Sequence, residues 1–287
     1  MPITINTNIA SLNAQRRLGN STAALQKTFE RLSSGLRIVR ASDDAAGLSI
    51  ADTLRADQRI AGVAIRNAND GVSLVSVADG ALSEMGSVLS RMAELAEQSA
   101  NGVLTSVQRS ALQSEFTALA SEIERIAVTT EFNGLKLLSG GTQVALQIGF
   151  NSQSTSQITF SGVQGTLASL GLAAAGNSAL AFSINASTTL AGQEASRSAL
   201  DAVKAAISSL VVNRGTLGAA ESRLNVAITN LQVARENFAA AESQIRDVDV
   251  AAEAANLTRL NILQQAGAAV LAQANQQPAL ALSLLGG

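Results

Sequence analysis

The chain has 287 residues, a net charge of −2, and 47% hydrophobic against 15% charged residues, with no His, Cys, Trp or Tyr. Cys/His zinc centres, Fe–S clusters, thiol nucleophiles and Ser-His-Asp triads are therefore excluded. No basic field invites nucleic acid. The length fits one or two domains, and the composition predicts helices packed through small and aliphatic side chains. It does not predict an enzyme and calls for no cofactor or metal.

The first ten residues carry no basic region and no apolar run, so no Sec-type signal is expected. No run of 18 apolar residues predicts a membrane span. No charge occurs before Arg16. The first helix carries two stripes: Ile5, Ile9 and Leu12 lie on one side, and Leu18, Leu25, Phe29 and Leu32 lie roughly 200° away. It either breaks near Gly19 or is sandwiched between several neighbours. Ser42-Asp43-Asp44 opens a second helix with anionic side chains at its positive end. Its seam is Leu74, Ala78, Ala81, Met85, Val88, Met92 and Leu95. Asn69-Asp70-Gly71 has the chemistry of a turn, yet Ala61, Ile65, Ala68, Val72 and Val75 keep helical spacing across it. One helix from about residue 44 to 99 is expected, stopped by Asn101-Gly102. A third follows, with Thr105 and Ser106 as caps and Leu112, Phe116, Leu119, Ile123 and Ile126 as its seam.

No charge occurs between Lys136 and Glu194. In this block, alternation at Gln143–Phe150 and at Gln157–Ser161 predicts a β-hairpin, and a short strand is expected at Ala181–Ile184. Beyond it, Val203, Leu210, Leu217, Leu224, Leu231, Phe238 and Ile245 recur every seven residues. Leu200, Ile207, Arg214, Glu221, Ile228, Arg235 and Glu242 fill the intervening seam positions. This predicts a long coiled-coil-like helix running through Asn213-Arg214-Gly215. No charge follows Arg259, although Leu260–Ala274 is apolar enough to demand cover. Two uncharged ends are expected to stay largely disordered in the monomer and to become buried against other copies. The close carboxylates Asp43/Asp44, Glu122/Glu124 and Asp247/Asp249 lack any metal-loop or glycine-rich context and read as solvated charges.

Several runs together carry a family resemblance. They are Ile5-Asn-Thr-Asn8, Glu30-Arg-Leu-Ser-Ser-Gly-Leu-Arg37, Asp43-Asp-Ala-Ala-Gly47, Arg66-Asn-Ala-Asn-Asp-Gly71, Gln98-Ser-Ala-Asn-Gly102 and Glu131-Phe-Asn-Gly134. Nearer the C-terminus are Ala227-Ile-Thr-Asn-Leu231, Ile262-Leu-Gln-Gln-Ala-Gly267 and Val270-Leu-Ala-Gln-Ala-Asn275. The chain resembles bacterial flagellin, in a short form that nearly lacks the outer variable domains. A hook–filament junction protein shares similar ends, but the Asn-Gly and Gln-Gln-Ala-Gly matches favour flagellin.

The resemblance implies a mainly α fold: a long coiled-coil-like helical bundle with a small β-hairpin region, and terminal helices that pair in the polymer. It divides the chain into 1–42 with 246–287 as filament-core helices, 43–142 with 193–245 as the bundle, and 143–192 as the hairpin and short insert. It implies a filament subunit that joins copies of itself head to tail. Ile5, Ile9, Leu12, Leu25, Phe29, Leu32, Leu260, Leu263, Val270 and Leu271 are then the subunit–subunit residues. It further implies signal-less type III export with a chaperone, contact with flagellar cap and hook-junction proteins, and an extracellular location. By motif position, Arg91, Leu95 and Glu115 match the contact region for Toll-like receptor 5.

Overall fold

The computed structural model describes residues 7–140, 143–160 and 162–285, with side chains up to residue 276. Five helices dominate: α1 (Ile9–Ser34), α2 (Ala45–Ser99), α3 (Ser106–Thr129), α4 (Thr189–Arg246) and α5 (Val250–Leu285). Between α3 and α4 lie two antiparallel hairpins, β1 (Glu131–Phe132) with β2 (Leu135–Lys136), and β3 (Val144–Gln147) with β4 (Gln157–Phe160). The chain forms two compact units. Residues up to Gln58 and from Glu236 onward make one, and Arg59–Arg235 make the other. This division lies farther from both chain ends than the expected boundaries at 42 and 246.

In the Arg59–Arg235 unit the α2 seam is the core. Leu74, Ala78, Met85, Met92 and Leu95 are buried, and Ala81 and Val88 are half-buried. Phe116, Ala120, Ile123 and Ala127 of α3 and Val203, Leu210, Leu217 and Leu224 of α4 close over them. The first four members of the seven-residue series on α4, Val203 to Leu224, face this core as expected, but their companion positions are shifted by one. Ala199, Ala206 and Ala220 are buried, whereas Ile207, Arg214 and Glu221 are half-buried at its edge. Alanine at that register lets α4 lie close to its neighbours. The charges thus flank the seam, and Arg214 forms a bidentate pair with Asp79 of α2 at 2.8 and 3.1 Å. That hydrogen bonding holds the Asp79 carboxyl below its ordinary pKa.

Asn69-Asp70-Gly71 lies inside α2, and the glycine has a packing reason. A Cβ there would fall 2.2 Å from Leu146 Cδ1 and 3.2 Å from Leu224 Cδ1. The β3–β4 hairpin rests Leu146 on this bare backbone, and the Asn67 amide donates to the Gln147 carbonyl oxygen at 2.9 Å. Helical periodicity wins because the turn-forming residue is used here for its lack of volume.

The stop at Asn101-Gly102 is reinforced by a buried charge that composition does not announce. Arg109 is fully buried. Its Nε donates to the Ser99 carbonyl oxygen and its Nη2 to that of Asn101, both at 2.9 Å. A guanidinium at the negative end of α2 is favourable, and it satisfies carbonyls the helix leaves orphaned. Gly192 makes room, since a Cβ there would lie 3.2 Å from Arg109 Cδ. Thr105 caps α3 in a reciprocal box with Gln108. Residues 181–184 form no strand. The local pairing is instead an isolated bridge between Ala173 and Leu180, and the Ile184 amide donates to Gln113 Oε1 at 2.6 Å. The β1–β2 hairpin escapes any search for alternation because it is only two residues long per strand. Its signal is Asn133-Gly134, both at positive φ (51° and 77°).

By length and by an 18-residue mean hydropathy of 1.3, α2 would also suffice to cross a bilayer, with a third of that window buried inside the protein. Its apolar positions are those of the bundle seam, which accounts for them.

Gly71→Val is expected to lower stability by about 1–3 kcal/mol through overpacking against Leu146. Gly80→Ala, where a Cβ meets nothing within 4 Å, should leave stability unchanged or raise it by up to ~1 kcal/mol. Urea unfolding of the two variants checks the contrast.

Candidate interaction surfaces

In the unit that holds both chain ends, α1 and α5 pack against one another. This corrects the expectation that the ends lack a partner within one chain. The helix α1 is continuous through Gly19, so of the two expected alternatives the break does not occur. Along α1 the inward positions are Ser11, Ala14, Leu18, Ser21, Leu25, Thr28 and Leu32, stepping 3-4-3-4. On α5 they are Glu253, Leu257, Leu260, Gln264, Gly267, Leu271 and Ala274, again at 3-4 spacing. Seams of this period hold two helices together side by side. This one is small and polar at half its positions, so the backbones approach closely: a Cβ on Gly267 would lie 3.4 Å from Leu18 Cδ1. At one end Asn8 caps α1 and donates to the Ala274 carbonyl oxygen at 2.8 Å, while the Ser11 hydroxyl donates to Asn275 Oδ1 at 2.6 Å.

The other end is tied by the segment after α1. Gly35 ends the helix in the left-handed region (φ 71°), and its carbonyl oxygen accepts from the Val248 amide at 3.0 Å. The Arg37 amide donates to the Arg246 carbonyl oxygen at 2.6 Å. Lys27 of α1 reaches Asp43 at 2.6 Å, and Asp44 caps α2 by accepting from the Gly47 amide at 2.9 Å. The expected solvated carboxylates are thus mostly structural. Asp249 accepts from the Ala251 and Ala252 amides at the start of α5, and Glu124 accepts from the Leu167 amide. Among the described residues no cluster of His, Cys, Asp or Glu could hold a metal ion.

The outward faces are the unusual part of this unit. Ile9, Leu12 and Phe29 are 64%, 58% and 65% exposed, and Leu263 and Val270 are 46% and 59% exposed. Ile262, which motif matching alone picks out, is 61% exposed. Of the other expected contact residues, Leu25, Leu32 and Leu271 are half-buried and Leu260 is buried, all on the α1–α5 seam. Ile5 lies outside the described residues. Periodicity groups Phe29 with Leu25 and Leu32, but it stands to one side of their row. It lines an open groove of about 550 Å³ with Leu25, Gln26, Glu30, Ser33 and Ser34. Periodicity also passes over Ala14 and Thr28, which are buried against α5, because neither is a large apolar residue.

In the second unit, Arg91 donates to Glu115 Oε1 and Glu94 Oε2, both at 2.9 Å. These carboxylates raise its pKa further. Arg91 and Glu115 are exposed and brought together, whereas Leu95 is fully buried in the core. The Leu95 side chain is therefore not available to a docking receptor, which corrects its placement in a contact surface.

Residues 5–143 match the bacterial flagellin N-terminal helical region, and residues 200–285 match the C-terminal helical region. The chain belongs to the bacterial flagellin family. It is 45% identical to a flagellin of Halalkalibacterium halodurans over 98% of this chain and 99% of that one. It is 42% identical to a flagellin of Bacillus subtilis, with the same coverage. It is also 39% identical to a flagellar filament 33 kDa core protein of Treponema phagedenis, over 98% of this chain and 99% of that one. The chain is a structural subunit of the flagellar filament, which polymerises with itself. Nothing in these matches favours a hook–filament junction protein.

For this flagellin, Asp43 links α1 to the start of α2 electrostatically. Its hydrogen bond from Lys27 and the backbone N–H donors of Arg40 and Val39 lower its pKa from 3.8 to about 2. A folded-state pKa depressed in this way gives stabilisation that is present above the unfolded value and lost as pH falls through about 2. Acid unfolding of the end-bearing unit between pH 4 and 2 should therefore be steeper in the native protein than in Asp43→Asn. Circular dichroism across that range checks the difference.

Proposed function

We propose that this flagellin assembles head to tail through the outward faces of the α1–α5 pair, forming an open helical tube used for swimming. The single observation that carries this reading is the placement of large apolar side chains. Ile9, Leu12 and Phe29 on α1, and Leu263 and Val270 on α5, point away from the helix that already partners them. A solvated helix pair would carry charge around Ile9, Leu12, Leu263 and Val270, but none occurs before Arg16 or after Arg259. Leu25, Leu32, Leu260 and Leu271 act as the inner seam that aligns the two helices, so they shape the contact surface from behind. A contact between two different faces does not close on itself, so copies add without limit. Each addition buries apolar area worth about 25 cal/mol per Å².

The same reading assigns the terminal helices of residues 1–42 and 246–287 to the filament core, and the bundle of 43–142 with 193–245 and the 143–192 insert to an outer layer. It places the subunit outside the cell after type III export with a chaperone, between hook-junction and cap proteins. Toll-like receptor 5, if it engages this chain, meets the Arg91–Glu115 pair and not Leu95. The role is mechanical rather than catalytic. That assignment fits the fate of the carboxylates, most of which cap helices or pair with cations.

Deleting residues 1–32 or 258–287 is expected to leave a soluble, folded Arg59–Arg235 bundle that no longer polymerises. Seeded growth followed by sedimentation and electron microscopy tests this. Filaments formed by either truncated chain would refute the assembly mechanism.

A further inference from the structure

The buried Arg109 does more than close off α2. The chain contains two Asn-Gly pairs, Asn101-Gly102 and Asn133-Gly134, and all four residues are exposed. Such a pair is prone to react with itself, because glycine leaves its backbone nitrogen without steric cover. That nitrogen can attack the side-chain amide carbon of the asparagine before it. The attack is helped by an acidic backbone N–H, by a polarised side-chain carbonyl, and by a nitrogen that no hydrogen bond ties down.

The fold supplies all three at Asn101. Its backbone carbonyl shares a peptide group with the Gly102 nitrogen, and that carbonyl oxygen accepts from Arg109 Nη2 at 2.9 Å and from the Leu104 amide at 3.4 Å. A cation on this oxygen stabilises the deprotonated amide and so acidifies the Gly102 N–H. Asn101 Oδ1 accepts from the Val103 amide at 3.2 Å, which draws electron density off the carbon to be attacked. Among the described residues the Gly102 N–H donates to no group. Asn133-Gly134 forms the tight turn of the β1–β2 hairpin, and among the described residues no cation donates to the Asn133 carbonyl oxygen.

We propose that Asn101 is a self-modifying site, which converts to isoaspartate in the folded chain under the direction of Arg109. The Gly102 nitrogen bonds to Asn101 Cγ and gives up its proton. The Cγ–Nδ2 bond breaks, and ammonia leaves with that proton, so a cyclic imide remains. Water then adds to one of the two imide carbonyl carbons, the bond from that carbon to nitrogen breaks, and the nitrogen regains a proton. Overall one water is consumed, one ammonia is released and one carboxyl group forms, which ionises and hands its proton to the ammonia. No oxidant or reductant is needed. Opening at the former backbone carbonyl routes the main chain through the side chain and frees the α-carboxylate. Arg109 polarises that carbonyl, so water is steered to it. The product is favoured for the same reason. Arg109 is fully buried, pairs with no carboxylate among the described residues, and its Nη1 has no hydrogen-bond partner. A buried cation without a counter-ion is costly. The freed carboxylate arises where Nη2 already donates and can offer Nη1 an acceptor as well. The reaction needs only the folded monomer and does not depend on filament growth.

The test incubates the full chain at neutral pH, folded and, in parallel, unfolded in urea. Mass spectrometry follows the peptides bearing Asn101 and Asn133, and enzymatic carboxyl methylation reads isoaspartate. In urea the two sites should react at similar rates. In the folded chain Asn101 is expected to react about tenfold faster than Asn133, a factor within reach of one charge-assisted hydrogen bond, and to give a higher ratio of isoaspartate to aspartate than in urea. A folded chain in which Asn101 reacts no faster than Asn133 overturns the proposal, as does a product ratio that folding leaves unchanged. Arg109→Gln, where circular dichroism shows it folded, should bring the Asn101 rate down to that of Asn133, and an undiminished rate there removes Arg109 from the reaction. If that variant does not fold, the comparison of folded with unfolded wild-type chain decides alone.

Discussion

The constraint on which this flagellin depends is the division of apolar side chains between two faces of the α1–α5 pair. Leu18, Leu25, Leu32, Leu257, Leu260 and Leu271 alternate along the seam with Ala14, Ser21, Thr28, Gln264 and Gly267, while Ile9, Leu12, Phe29, Leu263 and Val270 are turned to water. A two-helix pair needs only its seam to be apolar. Here the leucines hold the helices together and the small and polar positions let the backbones approach. Further apolar area is held in reserve on the outside. Fully burying one large aliphatic or aromatic side chain gives about 1.5–3 kcal/mol, and these residues are already about half covered. The outward face therefore offers on the order of 1 kcal/mol per residue, a few kcal/mol in all. That barely meets the 4–15 kcal/mol cost of immobilising one molecule on another. A subunit held by this face alone would dissociate. One held simultaneously by several neighbours would not.

The rest of the molecule then has two tasks. The Arg59–Arg235 unit must stay folded whether or not the subunit is in a filament. Its core supports that, with Leu82, Met85, Leu89, Met92 and Leu95 fully shielded and with Phe116 and Ile123 beside them. The connecting residues must hold the α1–α5 pair together around the buried Ile38 side chain. They do so with polar ties: Gly35 to Val248, Arg37 to Arg246, Lys27 to Asp43 and Arg55 to Glu242. Each is individually modest, because exposed ion pairs give little net stabilisation. Together they align α1 with α5 at the end opposite the Asn8 and Ser11 bonds.

Whether a residue's role is legible in the sequence depends on how locally that role is set. The α2 seam, the Thr105 cap and the β3–β4 hairpin are legible, because periodicity and capping chemistry are local. Phe29 is misplaced by helical spacing, which alone cannot tell the centre of a stripe from its flank. Leu95 has the right motif neighbourhood for a contact surface, but its place in the 4-3 series already puts it in the core, and the core claims it. Arg109 gives no signal. A buried guanidinium becomes intelligible only when the orphaned carbonyls of α2 and the bare backbone of Gly192 are seen around it. The one-residue shift on α4, from Ile207 and Glu221 to Ala206 and Ala220, has the same origin. Alanine does not stand out in a chain so rich in it, yet close approach selects it.

The glycines bring these threads to one criterion. Each glycine within a helix weakens that helix relative to alanine, so each requires something that comes near it. For Gly71 the neighbour is Leu146, for Gly192 it is Arg109, and for Gly267 it is Leu18, all within the chain. For Gly19, Gly62, Gly80, Gly215 and Gly218 no atom lies within 4 Å of where a Cβ would stand. A subunit that worked alone would be more stable with alanine in their place. In the proposed assembly, neighbouring copies would supply what comes near such open positions, as they would for the exposed apolar residues of α1 and α5. Stability forgone in the free chain and cohesion in the filament are then two sides of one balance.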